Sequence, residues 1–177
     1  MKLRIVLFAC ALAGCSSPGQ YGYSRVYSQL DAEEKAGVGA REYDPVMAKR
    51  VPDEWKKSKV MLFGVVKARK DVAGGGTDLT VGMRALAERN LCDDADESSC
   101  RVTVSNREHA TVHVLARLAS GDDIGKFSVQ IGSLVRVVGR LSDDAAEDGN
   151  PVVRAEYYRH WPRGEYVTTA DSEHMRR

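Results

Sequence analysis

Ile131-Gly132-Ser133-Leu134-Val135-Arg136-Val137-Val138-Gly139-Arg140-Leu141 is the stretch whose reading decides the fold. From Ser133 to Leu141 the residues alternate. Val135, Val137, Gly139 and Leu141 share one face, and Arg136 and Arg140 lie on the other. A period of two marks a half-buried strand, and its valines suit a pleated surface. The glycine inside it predicts a bend or a close approach of another backbone.

The same period recurs on both sides of this stretch. Between Lys59 and Arg69, Val60, Leu62, Gly64, Val66 and Ala68 oppose Lys59, Met61, Phe63, Val65, Lys67 and Arg69, which predicts a long strand with a bend at Gly64. Gly74-Gly75-Gly76 predicts a hairpin turn, with Leu79, Val81 and Met83 on the returning strand. Arg101–Ser105 reads as a short strand. His109–Arg117 reads as another, with Ala110, Val112, Val114 and Ala116 inward. Residues Ser120–Lys126 break the pattern, and Asp143–Asn150 form an acidic loop. Val152–Trp161 is the last strand, with Val153, Ala155, Tyr157 and Trp161 expected inward.

Residues 43–57 predict two short helices. Asp44-Pro45 offers an N-cap and a first-turn proline, and Pro52-Asp53-Glu54 offers a second start ahead of Trp55, expected to pack on the domain. Residues 23–42 carry few large apolar side chains and read as a mobile lead with a short helix around Leu30–Lys35.

Five main strands predict a small closed barrel, because closure removes exposed edges. The stretch 131–141 resembles the fourth strand of OB-folds, which often reads Gly-Asp-x-Val-x-Val-x-Gly-x-Val. Ser133 stands where that pattern has an acid. The long first strand and the break at Ser120–Lys126, where an OB-fold places its helix, agree with that resemblance. The expectation is a mainly β chain: a five-stranded OB-like barrel over 58–168, preceded by short N-terminal helices and followed by a tail at 169–177.

The chain begins with Lys2 and Arg4, an apolar run from Ile5 to Leu12, then Ala13 and Gly14. Charge, apolar run and small residues in that order predict a secretory signal peptide over 1–14. The run is too short to span a bilayer, which takes about 20 apolar residues. Leu12-Ala13-Gly14-Cys15 resembles the lipobox of bacterial lipoproteins at every position. That resemblance implies a diacylglycerol on the Cys15 sulfur, cleavage before it and often acylation of the new amino group. Several acyl chains on one residue make a stable anchor where one holds weakly. Ser16, where aspartate would retain a lipoprotein in the inner membrane, implies the outer membrane, with the domain at its periplasmic face. Residues 15–42 then read as a lipidated N-terminus and flexible tether, small and polar from Ser16 to Gly22.

Cys10 leaves with the leader and Cys15 is acylated, which leaves Cys92 and Cys100. An even pair in an oxidising compartment predicts a disulfide. A metal or redox thiol pair is the rival, but zinc sites want tighter spacing and further ligands nearby. Asp93, Asp94, Asp96 and Glu97 between them lack the order of a calcium loop and read as a solvated tip.

Removing the leader takes two of the 26 basic residues and leaves 24 against 25 acidic. Near-neutral charge argues against nucleic acid or an anionic membrane surface as the main partner.

A narrower resemblance rests on Phe63-Gly64-Val65-Val66, Val137-Val138-Gly139-Arg140-Leu141, Pro151-Val152-Val153 and His160-Trp161-Pro162. With the signal and lipobox, these stretches resemble the Slp family of starvation-inducible outer-membrane lipoproteins. Cys92, Cys100 and their loop depart from it. The resemblance implies an envelope setting but no biochemical activity, and it maps no functional residue.

His109 and His113 would lie roughly 13 Å apart along a strand, too far to share a metal. No metal or cofactor is expected. Tyr157–Arg163 is the densest aromatic and basic stretch. Arg136, Arg140 and Arg154 fall on outward parities, more often a solvated face than a binding patch. The candidate ligand surface is Arg136, Arg140, Arg154, Tyr158, His160 and Trp161. No Gly-x-Ser-x-Gly, His-Glu-x-x-His or phosphate-loop motif occurs. The expected function is a non-enzymatic envelope lipoprotein that meets the membrane through its anchor and binds envelope protein, glycan or lipid. The alternative is a nucleic-acid- or small-ligand-binding OB module. Such a module needs stacking aromatics and a basic groove on its second and third strands, which carry no Phe, Tyr or Trp.

Overall fold

The computed structural model describes residues 23–92 and 100–174. The expected signal peptide, Cys15, the expected tether up to 22, the acidic residues Asp93 to Glu97 and the last three residues lie outside the described residues. In chain order the strands are β1 (Tyr23–Val26), β2 (Arg41–Glu42), β3 (Lys59–Val72), β4 (Gly76–Arg84), β5 (Arg89–Cys92), β6 (Cys100–Arg101), β7 (Thr103–Val104), β8 (Thr111–Ala116), β9 (Leu134–Ala145), β10 (Pro151–Trp161) and β11 (Val167–Thr168). The helices are α1 (Asp31–Gly37), α2 (Pro45–Arg50), α3 (Pro52–Trp55) and α4 (Ser120–Asp123), followed by a 3₁₀ segment at Thr169–His174.

The chain is mainly β, and five strands close into a ring: β3 pairs β4, β4 pairs β8, β8 pairs β10, β10 pairs β9, and β9 returns to β3. All of these pairings are antiparallel except β8 with β10, where Val152, Val153 and Arg154 run parallel to His113, Val114 and Leu115. The inward residues of the alternating stretches form the main core. Val60, Leu62, Val66, Leu79, Val81, Val112, Val114, Val135, Val137 and Val153 are all buried there.

Two glycines let the ring close. At Gly139 a Cβ would overlap the Arg154 carbonyl of the neighbouring strand, and at Gly64 it would lie 2.7 Å from the Gly82 carbonyl oxygen. Both positions need the missing side chain for close backbone approach.

The inward expectation for Tyr157 and Trp161 is corrected. An irregularity between Ala155 and Tyr157 shifts the register of β10 against β9. One extra residue reverses the facing of everything after it. Val153 and Ala155 face the main core before the shift, and Tyr158 packs on that core after it. Trp161 turns outward into a second cluster with Phe63, Val102, Val104 and Leu134.

That second cluster also corrects the expectation of a mobile lead. Tyr27 packs edge-on to Phe63 at 5.6 Å and to Trp161 at 6.2 Å. β1 pairs β5, and α1 packs against β10. The lead is docked on the outside of the ring because β3, β9 and β10 present apolar residues on both faces. α2 and α3 follow as the sequence predicts: Asp44 Oδ1 accepts from the Val46 and Met47 amides at 2.8 and 2.9 Å. Trp55 is buried against Tyr43.

Candidate functional site

The six candidate residues do not form one site. Arg136 is corrected as a surface residue: it is 3% exposed and sits under the docked lead. Its Nε lies 2.6 Å from Glu33 Oε1 of α1, itself wholly buried. The Tyr27 hydroxyl lies 2.7 and 2.8 Å from the two Glu33 oxygens, and Arg159 Nη1 lies 3.3 Å from Oε2. Burial and the Glu33 carboxylate push the Tyr27 hydroxyl far above the ordinary tyrosine range. Arg136 stacks over Phe63 at 5.0 Å, and Arg159 over Trp161 at 4.6 Å. This is a closed ionic latch holding the lead to the ring. Its charges lie against one another as ion pairs, although the Arg136 Nε–H has no partner in hydrogen-bond geometry. Trp161 is buried in the same place.

Arg140 is exposed and pairs with Glu156 at 2.9 Å, and Glu156 also meets Lys59 at 3.4 Å. Glu156 thus links the cations of β3 and β9 across the outer face of the sheet. The His160 Nε2 lies 2.7 Å from the Phe127 carbonyl oxygen, and its Nδ1 lies 3.7 Å from Asp122.

Arg154 and Tyr158 share a cavity. A cleft of about 710 Å³ opens where β8 ends and β10 runs on, between them and the β3–β4 turn. Arg117, Arg154, Tyr157 and Tyr158 line it together with Gly74 and Gly76. The Ala119 amide donates to the Tyr158 hydroxyl at 2.7 Å, and that hydroxyl donates to Asp122 Oδ2 at 2.7 Å. Burial and then the Asp122 contact push the Tyr158 hydroxyl up to about 12, so it stays protonated. Asp122 is thus engaged by Tyr158, and Glu156 by Arg140 and Lys59. The exposed guanidiniums of Arg117 and Arg154 leave the cleft with a cationic rim. Arg117 was legible only as an outward residue at a strand end.

A third cluster sits on the outer face of β4 and β8. His113 Nδ1 lies 3.0 Å from both Asp78 oxygens, and its Nε2 lies 3.1 Å from Asp148 Oδ2 in the β9–β10 turn. Burial pulls the imidazole pKa down, but the Asp148 and Asp78 contacts outweigh it and the value is raised. Among the described residues no group of three or more His, Cys, Asp or Glu side chains is arranged to hold a metal ion. No helix among them is long and apolar enough to cross a membrane.

Cys92 and Cys100 are Cα partners in the antiparallel pairing of β5 with β6. Directly opposed residues in such a pair lie about 4.5–5.5 Å apart, within the range a disulfide bridges.

No protein-family model matches this chain, and no curated protein matches it.

Proposed function

We propose that this chain is a non-enzymatic envelope lipoprotein, anchored at the periplasmic face of the outer membrane by acyl chains on Cys15, whose strand ring serves as a binding module. The observation that carries the reading is Leu12-Ala13-Gly14-Cys15 behind a basic start and an apolar run. The resemblance to Slp lipoproteins agrees with that address.

We read the ring as an OB-type barrel. Three features support this: the first ring strand pairs with the second and the fourth, the third and fifth run parallel, and a short helix stands between the third and fourth. The ligand surface of the module is the cleft with Arg117, Arg154, Tyr157 and Tyr158. Two exposed guanidiniums beside tyrosine rings suit an anionic group on a glycan, lipid or protein. A nucleic-acid module is disfavoured. The outer face of β4 and β8 presents Asp78, Thr80 and His113 under Asp148, without a stacking ring, and its carboxylates repel phosphates.

Membrane fractionation tests the anchor. The wild-type chain is expected with membranes, and Cys15→Ala with the soluble fraction. A wild-type chain found soluble, its leader intact, sinks the reading. Titration with phosphorylated and carboxylated glycans tests the cleft. Arg117→Glu with Arg154→Glu is expected to weaken binding at least about tenfold, the loss of roughly 1.4 kcal/mol.

A further inference from the structure

Three of the seven large apolar side chains that are exposed among the described residues lie within one eight-residue stretch: Ile124 (80%), Phe127 (61%) and Ile131 (64%), in the connection from α4 to β9. We propose that this loop is a membrane-seating tip, which inserts its three side chains into the interface of the bilayer that holds the lipid anchor. The inference rests on the acylated Cys15 of the proposed function.

Three observations select a lipid surface over another occupant. The first is that the loop has already satisfied much of its own backbone. The Asp123 and Val129 carbonyls accept from Arg69 Nη1 at 2.9 and 3.0 Å. The Gly125 carbonyl accepts from the Ser128 hydroxyl at 2.7 Å and from Gln130 Nε2 at 3.1 Å. The Phe127 carbonyl faces His160 Nε2. A segment entering a water-poor layer needs this, because each bare carbonyl would cost several kcal/mol.

The second is charge. The two carboxylates of α4 are engaged: Asp123 by Arg69, and Asp122 by Tyr158. Two exposed cations remain. Lys126 Nζ lies 5.3 Å from the Phe127 ring centroid, and the Arg163 side chain runs along Gly132. Apolar side chains flanked by long cationic ones fit acyl chains below and lipid phosphates above.

The third is where the lead docks. Tyr27 packs on Trp161, and the next residue back along β10, His160, contacts Phe127. Cys15 lies twelve residues before Tyr27, a reach of at most about 40 Å. A tether of that reach lets the anchor and the tip meet the same bilayer. Val46, also exposed, sits on α2 beside the Leu141 end of β9, opposite the Leu134 end from which the tip projects.

The test uses the full processed chain in vesicles of phosphatidylethanolamine and phosphatidylglycerol with brominated acyl chains. Tryptophan is introduced singly as Phe127→Trp, Ile124→Trp or, as the distal control, Val46→Trp. Trp55 and Trp161 are buried and supply a constant background. Emission from the two tip reporters is expected to fall at least about twofold relative to unbrominated vesicles, and emission from the control to stay unchanged. Mass spectrometry of the same samples reads the acyl chains on Cys15. Unquenched tip reporters on an acylated chain overturn the tip and leave the anchor standing, and would mean the patch faces protein or a second copy. A chain without acyl groups overturns the anchor and this inference together.

Discussion

Glu33 Oε1 lies 2.6 Å from Arg136 Nε, and neither side chain reaches solvent. One residue belongs to the N-terminal lead, the other to a ring strand. Charges buried together in this way fix position more than they add stability, because desolvation cancels most of their attraction. Removing one is costly. Glu33→Ala strands the Arg136 guanidinium and is expected to destabilise the docked lead by about 3–5 kcal/mol. Limited trypsin digestion reads this as rapid cleavage at Arg25 or Lys35. Glu33→Leu combined with Arg136→Met is expected to lose less than Glu33→Ala alone. Equal sensitivity in all variants would show that the pair does not hold the lead.

Gly139 gives a sharper test of the ring. A methyl group there meets the Arg154 carbonyl and the Ala155 Cα at 3.0 Å, both backbone and unable to rotate away. Gly139→Ala is expected to cost about 1–3 kcal/mol, as overpacking does, read as a lower urea midpoint. Gly121→Ala, where a Cβ meets nothing within 4 Å, is the matched control.

What was legible in the sequence was what local periodicity can carry. The alternation of Val135, Val137 and Gly139, and of Val60, Leu62 and Val66, identified ring strands and their inward faces. Asp44-Pro45 identified a helix start. Arg136 was correctly placed outward, yet its burial depends on α1, a hundred residues earlier, and no local pattern records that docking. The shift between Ala155 and Tyr157 is one residue long, and alternation read across it assigned Trp161 to the wrong face. The cleft was half visible: Arg154 and Tyr158 were named, but Arg117 joins them only because β8 and β10 run parallel.

Cys92 and Cys100 are Cα partners in the register of β5 against β6. A disulfide there would close a nine-residue loop, worth about 2–3 kcal/mol in the chain-entropy model. The native protein, unfolded without reductant, is expected to show no free thiol from this pair. Reduction, or Cys92→Ser with Cys100→Ser, is expected to lower the urea midpoint by the corresponding amount. Two reactive thiols in the native protein purified without reductant would refute the pairing.

His113 makes stability depend on pH in a direction that can be fixed in advance. Its folded pKa lies above the ordinary 6.5, since Asp148 and Asp78 outweigh the opposing effect of burial. The proton is therefore bound more tightly in the folded chain. That contribution is complete below pH 6.5 and is lost as pH rises through the folded value. Asp148 works at the other limit. The Asn150 amide, then His113, holds its carboxyl at about 2 against an ordinary 3.8. Its contribution is complete above 3.8 and is lost as pH falls toward 2. Between the two limits the imidazolium joins β4, β8 and the β9–β10 turn. Thermal unfolding of the wild type is expected to shift to lower temperature as pH rises from about 6.5 to 8.5, the range in which a raised histidine titrates. His113→Gln should remove most of that slope, because glutamine has no proton to lose there. A slope that survives the substitution would assign the pH response to another group.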